Sequence, residues 1–335
     1  MCIIFIERNF LKAKLFVLAL MLFSGLSVYA QKPKVVFATH WMPQAQFAGY
    51  YVAQDQGFYE DAGIDVEIIH ATTTTNSLEL LESGKADVVS SFLISAMHSR
   101  CDGLELVNIA QLSQHSAILF VSKKSSNIKS LEDFNGKKIS IWNKDFSDMP
   151  KSLIKEYNLD VEWVPILSSV NLFLVGGVDI MTVMYYNEYN VIYLSGIDHN
   201  ELNTFFISDY GYDIPEDGLY ALKNTYDAKK NELKAFVEAS LKGWEYAAKN
   251  REYTVKLIVD LMRKENIPSS ITHQKWMLDK VLEFQSIEGK AVSSGELDPN
   301  DFKQVMDILK NMNNCEFSFT YKDFFKPVVP IPNNK

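Results

Sequence analysis

The sequence predicts an α/β fold of two lobes, each built on a mainly parallel β-sheet flanked by helices, with a ligand cleft between the lobes. From residue 34, short apolar segments typical of strands alternate with amphipathic segments typical of helices. The alternation occurs in two successive blocks, and strands that alternate with helices form parallel sheets. After residue 226 the pattern is almost entirely helical, and we expect this tail to pack on the first lobe.

The predicted elements keep this order in both blocks. In the first block they are strands over 34–39, 65–70, 86–90 and 104–111, and helices over 45–56 and 93–100 with a third that ends at residue 84. In the second block they are strands over 138–142, 161–165 and 178–185, and helices over 148–157 and 167–175. We therefore predict a first lobe over 31–121, a second lobe over 122–208 and a completion of the first lobe by C-terminal helices over 209–335.

The first 30 residues have the pattern of a cleaved signal peptide. Three basic residues, Arg8, Lys12 and Lys14, precede an apolar run over 15–26, and the small-residue pattern at 28–30 is typical of a cleavage site. A membrane anchor would need about 18 to 20 unbroken apolar residues, and this run is shorter. We therefore expect an exported, periplasmic protein.

Composition and motif searches exclude several functional classes. The chain has 42 acidic and 33 basic residues and a net charge of −9, which disfavours nucleic acid as a partner. Six histidines are spread along the chain without zinc-site spacing, and neither a serine nucleophile elbow nor a phosphate loop is present. We therefore expect no metal and no cofactor. Cys101 and Cys315 can pair after export, but the sequence does not decide whether they do.

Parallel α/β lobes bind ligands beyond the carboxyl ends of their strands, so the residues at those ends form the predicted site. We expect the ligand to be contacted by side chains that end or follow the strands over 34–39, 86–90, 138–142 and 178–185. These side chains are Trp41, Gln44, Ser90, Ser91, Trp142, Tyr186, Glu188 and Tyr189.

The chemistry of these side chains favours a flat heterocycle with N–H donors. Trp41 can stack on an aromatic ring, with Trp142 on the opposite face, although a tryptophan at this place can also cover the lobe's own core. Glu188 can bind an exocyclic amino group and a protonated ring nitrogen together, and it would repel an anion. The alternative is a solvated glutamate at a strand end, just as Ser90 and Ser91 can be ordinary helix caps.

Several ordered motifs resemble one family of binding proteins. They are HWMPQAQFAGYYVA at 40–53, GFY at 57–59, AGIDV at 62–66, GKADV at 84–88, LEDFNGKK at 131–138, GVD at 177–179 and DYG at 209–211. In this order they resemble type II periplasmic binding proteins of the thiamine-pyrimidine, sulfonate and nitrate group. The resemblance covers about residues 34–325.

Within that group, WMPQ at 41–44 and YNEY at 186–189 are most similar to proteins that bind pyrimidine precursors of thiamine, such as formylaminopyrimidine or hydroxymethylpyrimidine. The resemblance implies a substrate-binding protein that delivers a small heterocyclic ligand to the permease and ATPase subunits of an ABC importer. It implies contact with the membrane only through that permease. A protein of the same fold that binds sulfonate, taurine or nitrate is the alternative.

A second alternative is an enzyme of the same fold, hydroxymethylpyrimidine phosphate synthase. The resemblance implies that such an enzyme has a lysine for pyridoxal phosphate and a sacrificial histidine four residues later. In this chain Ser91 and Ser95 stand at those two positions. Because serine has no amine for a Schiff base, we expect a binding protein rather than an enzyme.

Overall fold

The computed structural model describes residues 32–142, 147–286, 295–312, 315 and 317–331. Two five-stranded β-sheets lie within the unit Lys34–Lys335. The strands of the first sheet are β1 (Lys34–Thr39), β2 (Asp65–His70), β3 (Val88–Phe92), β4 (Leu106–Gln111) and β10 (Asp217–Leu222). Those of the second are β5 (Ile118–Lys123), β6 (Lys138–Trp142), β7 (Glu162–Ile166), β8 (Ile180–Met184) and β9 (Leu202–Phe206). The predicted signal peptide lies outside the described residues.

Both sheets have the same topology. The first has the order β2-β1-β3-β10-β4 and the second the order β7-β6-β8-β5-β9. In the first sheet β10 pairs antiparallel with β3 and β4, and in the second β5 pairs antiparallel with β8 and β9. The remaining pairs are parallel. The predicted fold class of two lobes with mainly parallel sheets is therefore confirmed.

Helices flank both sheets. The first lobe has α1 (Ala48–Asp55), which follows a 3₁₀ turn over Ala45–Phe47, and α2 (Phe58–Asp61), α3 (Ser77–Glu82) and α4 (Leu93–Cys101). The second lobe has α5 (Asp148–Glu156), α6 (Asn171–Leu174) and α7 (Glu188–Leu194). The C-terminal helices are α8 (Lys223–Ala228), α9 (Lys230–Lys249), α10 (Arg251–Lys264), α11 (Ile271–Phe284), α12 (Pro299–Asn311) and α13 (Tyr321–Phe324). No helix among the described residues is long and apolar enough to cross a bilayer.

The chain crosses between the lobes twice, and the strand after each crossing is the antiparallel one. The first crossing precedes Ile118, because β5 belongs to the second sheet. The predicted boundary between the lobes, after residue 121, lies inside β5. The apolar run over 116–121 does not indicate by itself which sheet it joins. Strands β9 and β10 are not among the predicted strands, and the Asp217-Gly218 start of β10 lacks the apolar character of the others.

Helix α9 packs closely on α1, which attaches the C-terminal tail to the first lobe. A Cβ atom on Gly243 would overlap the carbonyl oxygen of Gly49, and a Cβ atom on Gly49 would overlap the indole of Trp244. The two backbones therefore meet at a place where only glycine fits.

We expect Gly243→Ala to lower the free energy of unfolding by about 1 to 3 kcal/mol. An alanine in a helix usually stabilises it relative to glycine, so a loss would come from the overlap with the Gly49 backbone. Urea unfolding measures the change. Glu245→Ala, at an exposed position of the same helix, is the control and should change stability by less than about 0.5 kcal/mol.

A disulfide joins the end of α4 to the C-terminal segment. Cys101 and Cys315 are bonded, with a Cα–Cα distance of 5.4 Å and a sequence separation of 214 residues. The pairing that the sequence leaves open is therefore made. Such a bond restricts a long loop of the unfolded chain and is typical of proteins that fold outside the cytoplasm.

Replacement of both cysteines by serine should lower the free energy of unfolding by about 2 to 5 kcal/mol, because the unfolded chain regains the entropy of an open loop. Thermal unfolding of the wild type with and without a reducing agent is the parallel measurement. The reducing agent should lower the melting temperature of the wild type and leave the double variant unchanged. Equal melting temperatures of the two proteins without reductant would contradict a stabilising role for this bond.

Candidate functional site

A cavity of about 280 Å³ lies between the two lobes. It is formed at the carboxyl ends of β1, β2 and β6–β8 and along β3, which is where parallel α/β sheets bind ligands. Its lining from the first lobe consists of His40, Trp41, Gln44, Gln46, residues 72–77, Glu79, Ser91 and Phe92. Its lining from the second lobe consists of Trp142, Ile166, Leu167, Met184, Tyr186, Asn187 and Glu188. The volume is just below the usual range for ligand pockets, about 300 to 1,000 Å³.

Six of the eight predicted contact residues lie in this lining. They are Trp41, Gln44, Ser91, Trp142, Tyr186 and Glu188. Trp41 is half-buried against the first lobe, whereas Trp142 is almost fully buried. The structure therefore brings together side chains from four separate strand ends.

Ser90 lies behind the lining rather than in it. Strand β3 continues to Phe92, two residues past its predicted end, so Ser90 is inside the strand. Its hydroxyl oxygen accepts a hydrogen bond from the backbone N–H of His40 at 2.9 Å and lies 2.8 Å from Nδ1 of the same residue. Ser90 therefore holds His40 in place and does not reach the cavity.

Tyr189 also lies outside the lining. Helix α7 begins at Glu188, and successive residues of a helix point about 100° apart, so the side chain of Tyr189 turns away from the cavity. Its ring packs against Tyr185 and stacks on His199, whose Nδ1 lies 2.9 Å from the tyrosine hydroxyl. The prediction that Tyr189 contacts ligand is therefore not supported by its position.

Donors of the second lobe hold the Glu188 carboxylate. Oε2 accepts from the backbone N–H of Met184 at 3.0 Å, and Oε1 accepts from Nδ2 of Asn187 at 3.1 Å. The indole of Trp142 also hydrogen-bonds this carboxylate. Burial raises the pKa of Glu188 to about 7, and the hydrogen bonds partly oppose this shift.

On the opposite wall, Gln46 joins the two lobes. Its Nε2 donates to the hydroxyl oxygen of Tyr186 at 2.9 Å and lies 3.0 Å from Oδ2 of Asp217, a carboxyl whose pKa burial raises to about 7. Its Oε1 accepts from Nε2 of Gln44 at 2.7 Å. This bond uses one of the two N–H groups of the Gln44 amide, and the Gln44 carbonyl oxygen is an acceptor for a ligand.

The described lining contains no lysine or arginine. His40 is neutral at physiological pH, because burial lowers its pKa to about 3. The two acidic side chains of the lining are Glu188, which is buried, and Glu79, which is exposed. The described part of the cavity therefore offers acceptors, neutral hydroxyl and amide donors, and aromatic rings, and no positive side chain to balance an anion. Among the described residues, no group of three or more potential ligands is placed to hold a metal ion.

Three residues of the polar network are absent from the predicted site. Gln46 follows Gln44 in the same motif, and Asn187 stands between two predicted contacts, so their neighbours in the sequence could have indicated both. No motif or neighbouring residue in the sequence indicates that Asp217 belongs to the site. It is 171 residues from Gln46, and only the folded chain brings them together.

The raised pKa of Glu188 predicts a pH-dependent stability. Between its ordinary value of 4.5 and about 7, the folded protein keeps a proton that the unfolded chain has released, so this carboxyl makes the fold less stable as the pH rises through that range. The free energy of unfolding of the wild type relative to Glu188→Gln should fall by about 1.4 kcal/mol per pH unit, about 3 kcal/mol in all. Urea unfolding of both proteins at pH 5, 6, 7 and 8 measures the difference. A difference that does not change with pH would contradict the shift.

The site can now be compared with known proteins. Residues 44–253, more than half of the chain, match the family model described as NMT1/THI5 like. A Haemophilus influenzae protein described as a thiamine biosynthesis protein is 31% identical over 208 residues, which cover 59% of this chain and 65% of that protein, just under two thirds of its length.

Two further similarities extend over most of the chain. The formylaminopyrimidine-binding protein of Halalkalibacterium halodurans is 24% identical over 300 residues, which cover 86% of this chain and 88% of that protein. The crystal structure of the periplasmic aliphatic sulphonate binding protein SsuA from Escherichia coli has a TM-score of 0.67 at 14% identity, over 87% of this chain and 96% of that one, a likeness of fold. The fold is thus that of the type II periplasmic binding proteins, and the chain belongs to the NMT1/THI5-like family.

Proposed function

We propose that this protein is an extracytoplasmic substrate-binding protein that binds a pyrimidine precursor of thiamine, of the formylaminopyrimidine or hydroxymethylpyrimidine type, in the cavity between its lobes. In this proposal it delivers the ligand to the permease and ATPase subunits of an ABC importer. The observation that carries the proposal is the buried Glu188 carboxylate in a cavity whose described lining contains no lysine or arginine.

Glu188 favours a ligand with paired N–H donors. Oε2 accepts from the Met184 N–H and Oε1 from Asn187, and a carboxylate oxygen can accept more than one hydrogen bond. The amino group and the protonated ring nitrogen of an aminopyrimidine present two donors in one plane, which matches the bidentate geometry of a carboxylate. A sulfonate or nitrate would instead place a second negative charge beside a buried acid, which is costly without a cation.

The aromatic side chains support a flat ligand. Trp41, Phe92, Trp142 and Tyr186 all line the cavity, and ring stacking contributes about 0.5 to 1.5 kcal/mol beyond the burial of area. The similarity to the formylaminopyrimidine-binding protein of Halalkalibacterium halodurans supports the same ligand class.

Two features support binding outside the cytoplasm rather than catalysis within it. The disulfide between Cys101 and Cys315 is typical of an oxidising compartment, in line with the predicted signal peptide. Ser91, at the position where the related synthases are expected to have a lysine, lines the cavity and offers no amine for a Schiff base.

Isothermal titration calorimetry tests the proposal with the purified protein and a panel of formylaminopyrimidine, hydroxymethylpyrimidine, thiamine, taurine and nitrate. We expect binding of the pyrimidine precursors alone. Glu188→Gln should weaken that binding by about 1.5 to 3 kcal/mol, roughly 10- to 150-fold, because a hydrogen-bonded charge is lost.

The matched control is Glu79→Gln, which makes the same chemical change at an exposed position of the same lining. Its effect should stay within about threefold, because solvent screens an exposed charge. Binding of taurine or nitrate and not of the pyrimidines would overturn the proposed ligand and retain the fold.

A further inference from the structure

Helix α11 contacts both walls of the cavity through two adjacent residues. Gln274 Oε1 accepts a hydrogen bond from the backbone N–H of Ala45 at 2.7 Å, at the first-lobe segment that carries Gln44 and Gln46. His273 lies within hydrogen-bonding distance of Asn187 in the second lobe. Neither Gln274 nor His273 belongs to the described lining, so both act one step behind it.

The hydrogen bonds from His273 to Glu188 form a chain with a single direction. The imidazole Nδ1 lies 2.9 Å from Nδ2 of Asn190, which can only donate, so Nδ1 is the acceptor and Nε2 carries the proton. Nε2 then donates to Oδ1 of Asn187 at 3.1 Å, and Nδ2 of Asn187 donates to Oε1 of Glu188 at 3.1 Å. A carboxylate can only accept, so the same direction follows from the other end of the chain.

This chain of hydrogen bonds determines which end of the Asn187 amide faces Glu188. An amide can rotate by 180° and exchange its donor for its acceptor. Without the proton from His273, nothing described on the far side of Asn187 holds its oxygen there. A rotated amide would place an oxygen against the carboxylate and displace it. The burial of His273, which lowers its pKa, keeps the ring in the neutral form that the chain needs.

We propose that His273 is a positioning residue for ligand selection, which acts through Asn187 to hold the Glu188 carboxylate in its orientation at the cavity wall. This inference rests on the proposed function and assigns part of the preference for an amino-substituted pyrimidine to a residue that does not touch the ligand. His273 and Asn187 belong to different lobes. The chain of hydrogen bonds is therefore complete only when α11 contacts the start of α7.

The experiment measures a preference rather than an affinity. Calorimetry gives the Kd of formylaminopyrimidine and of its analogue in which the 4-amino group of the ring is replaced by hydrogen, for the wild type and each variant. His273→Ala should reduce the wild-type preference for the amino compound by about tenfold, the scale of coupling within one hydrogen-bond network. His273→Gln, which retains an N–H donor near the position of Nε2, should keep most of the preference.

Two further variants separate positioning from a general structural effect. In a Glu188→Gln background, His273→Ala should change the preference by less than about twofold, because both residues act through one contact. Trp276→Phe removes another contact of α11 with the second lobe, the 3.0 Å hydrogen bond from Nε1 to the Tyr185 carbonyl, and should leave the preference unchanged.

The outcomes distinguish the two proposals. If the wild type binds neither pyrimidine, the proposed function fails, and the role of His273 fails with it. If the wild type prefers the amino compound and Glu188→Gln loses that preference while His273→Ala keeps it, only the role of His273 is overturned. Fully additive effects of His273→Ala and Glu188→Gln would overturn it as well.

Discussion

Two carboxyl groups, buried Glu216 and exposed Asp213, hold together the two segments by which the chain crosses between the lobes, and the geometry of the cavity depends on this contact. Oε1 of Glu216 accepts from the backbone N–H of Ala117 at 2.7 Å and from the hydroxyl of Ser116 at 3.0 Å. Asp213 accepts from the backbone N–H of Ser116 at 2.8 Å. Separation of these segments would leave a buried acid without its donors, which is costly. The next residue, Asp217, lies against Gln46 of the cavity lining, so the crossing and the cavity share one polar network.

The buried acids make the candidate site a source of instability. Burial raises the pKa of Glu188 and Asp217 to about 7, and that of Glu216 well above its ordinary value, so each of these acids costs free energy when it is ionised in the folded protein. Proteins tolerate such groups where function needs them, and perturbed acids in a cleft indicate a functional site. Here the acceptors on both walls are held in place by hydrogen bonds within the protein, an arrangement that would reduce the ordering required by a bound ligand.

The repeated topology of the two sheets explains why the site has aromatic side chains on both lobes. Strands β1 and β6 occupy equivalent places in their sheets, and Trp41 and Trp142 stand at or just after their carboxyl ends. Strands β3 and β8 are likewise equivalent, with Ser91 near the end of one and Glu188 just after the other. The cavity therefore has comparable positions on its two walls, and each wall has one acidic side chain in its described lining, exposed Glu79 on the first lobe and buried Glu188 on the second.

The sequence by itself determined most of the local secondary structure and the edge of the sheets, at the carboxyl ends of the parallel strands, where the candidate site lies. The bounds of β1, β2 and β6 agree with the prediction at every residue. A short, largely apolar segment between turn residues is typical of a strand. Side chains at parallel strand ends necessarily meet at one edge, which is why most of the predicted contacts surround one cavity.

Only the tertiary structure decided three further features. They are the bond from Cys101 to Cys315, the turn of the Tyr189 side chain away from the cavity, and the position of Asp217 beside Gln46. The disulfide joins residues 214 positions apart, and the contact of Asp217 with Gln46 joins residues 171 positions apart. The direction of Tyr189 depends on the residue at which α7 begins. Hydrophobic periodicity indicates the local secondary structure of a segment and which of its residues share one face. These features depend on how the sheets and helices pack against one another, about which a local pattern carries no information.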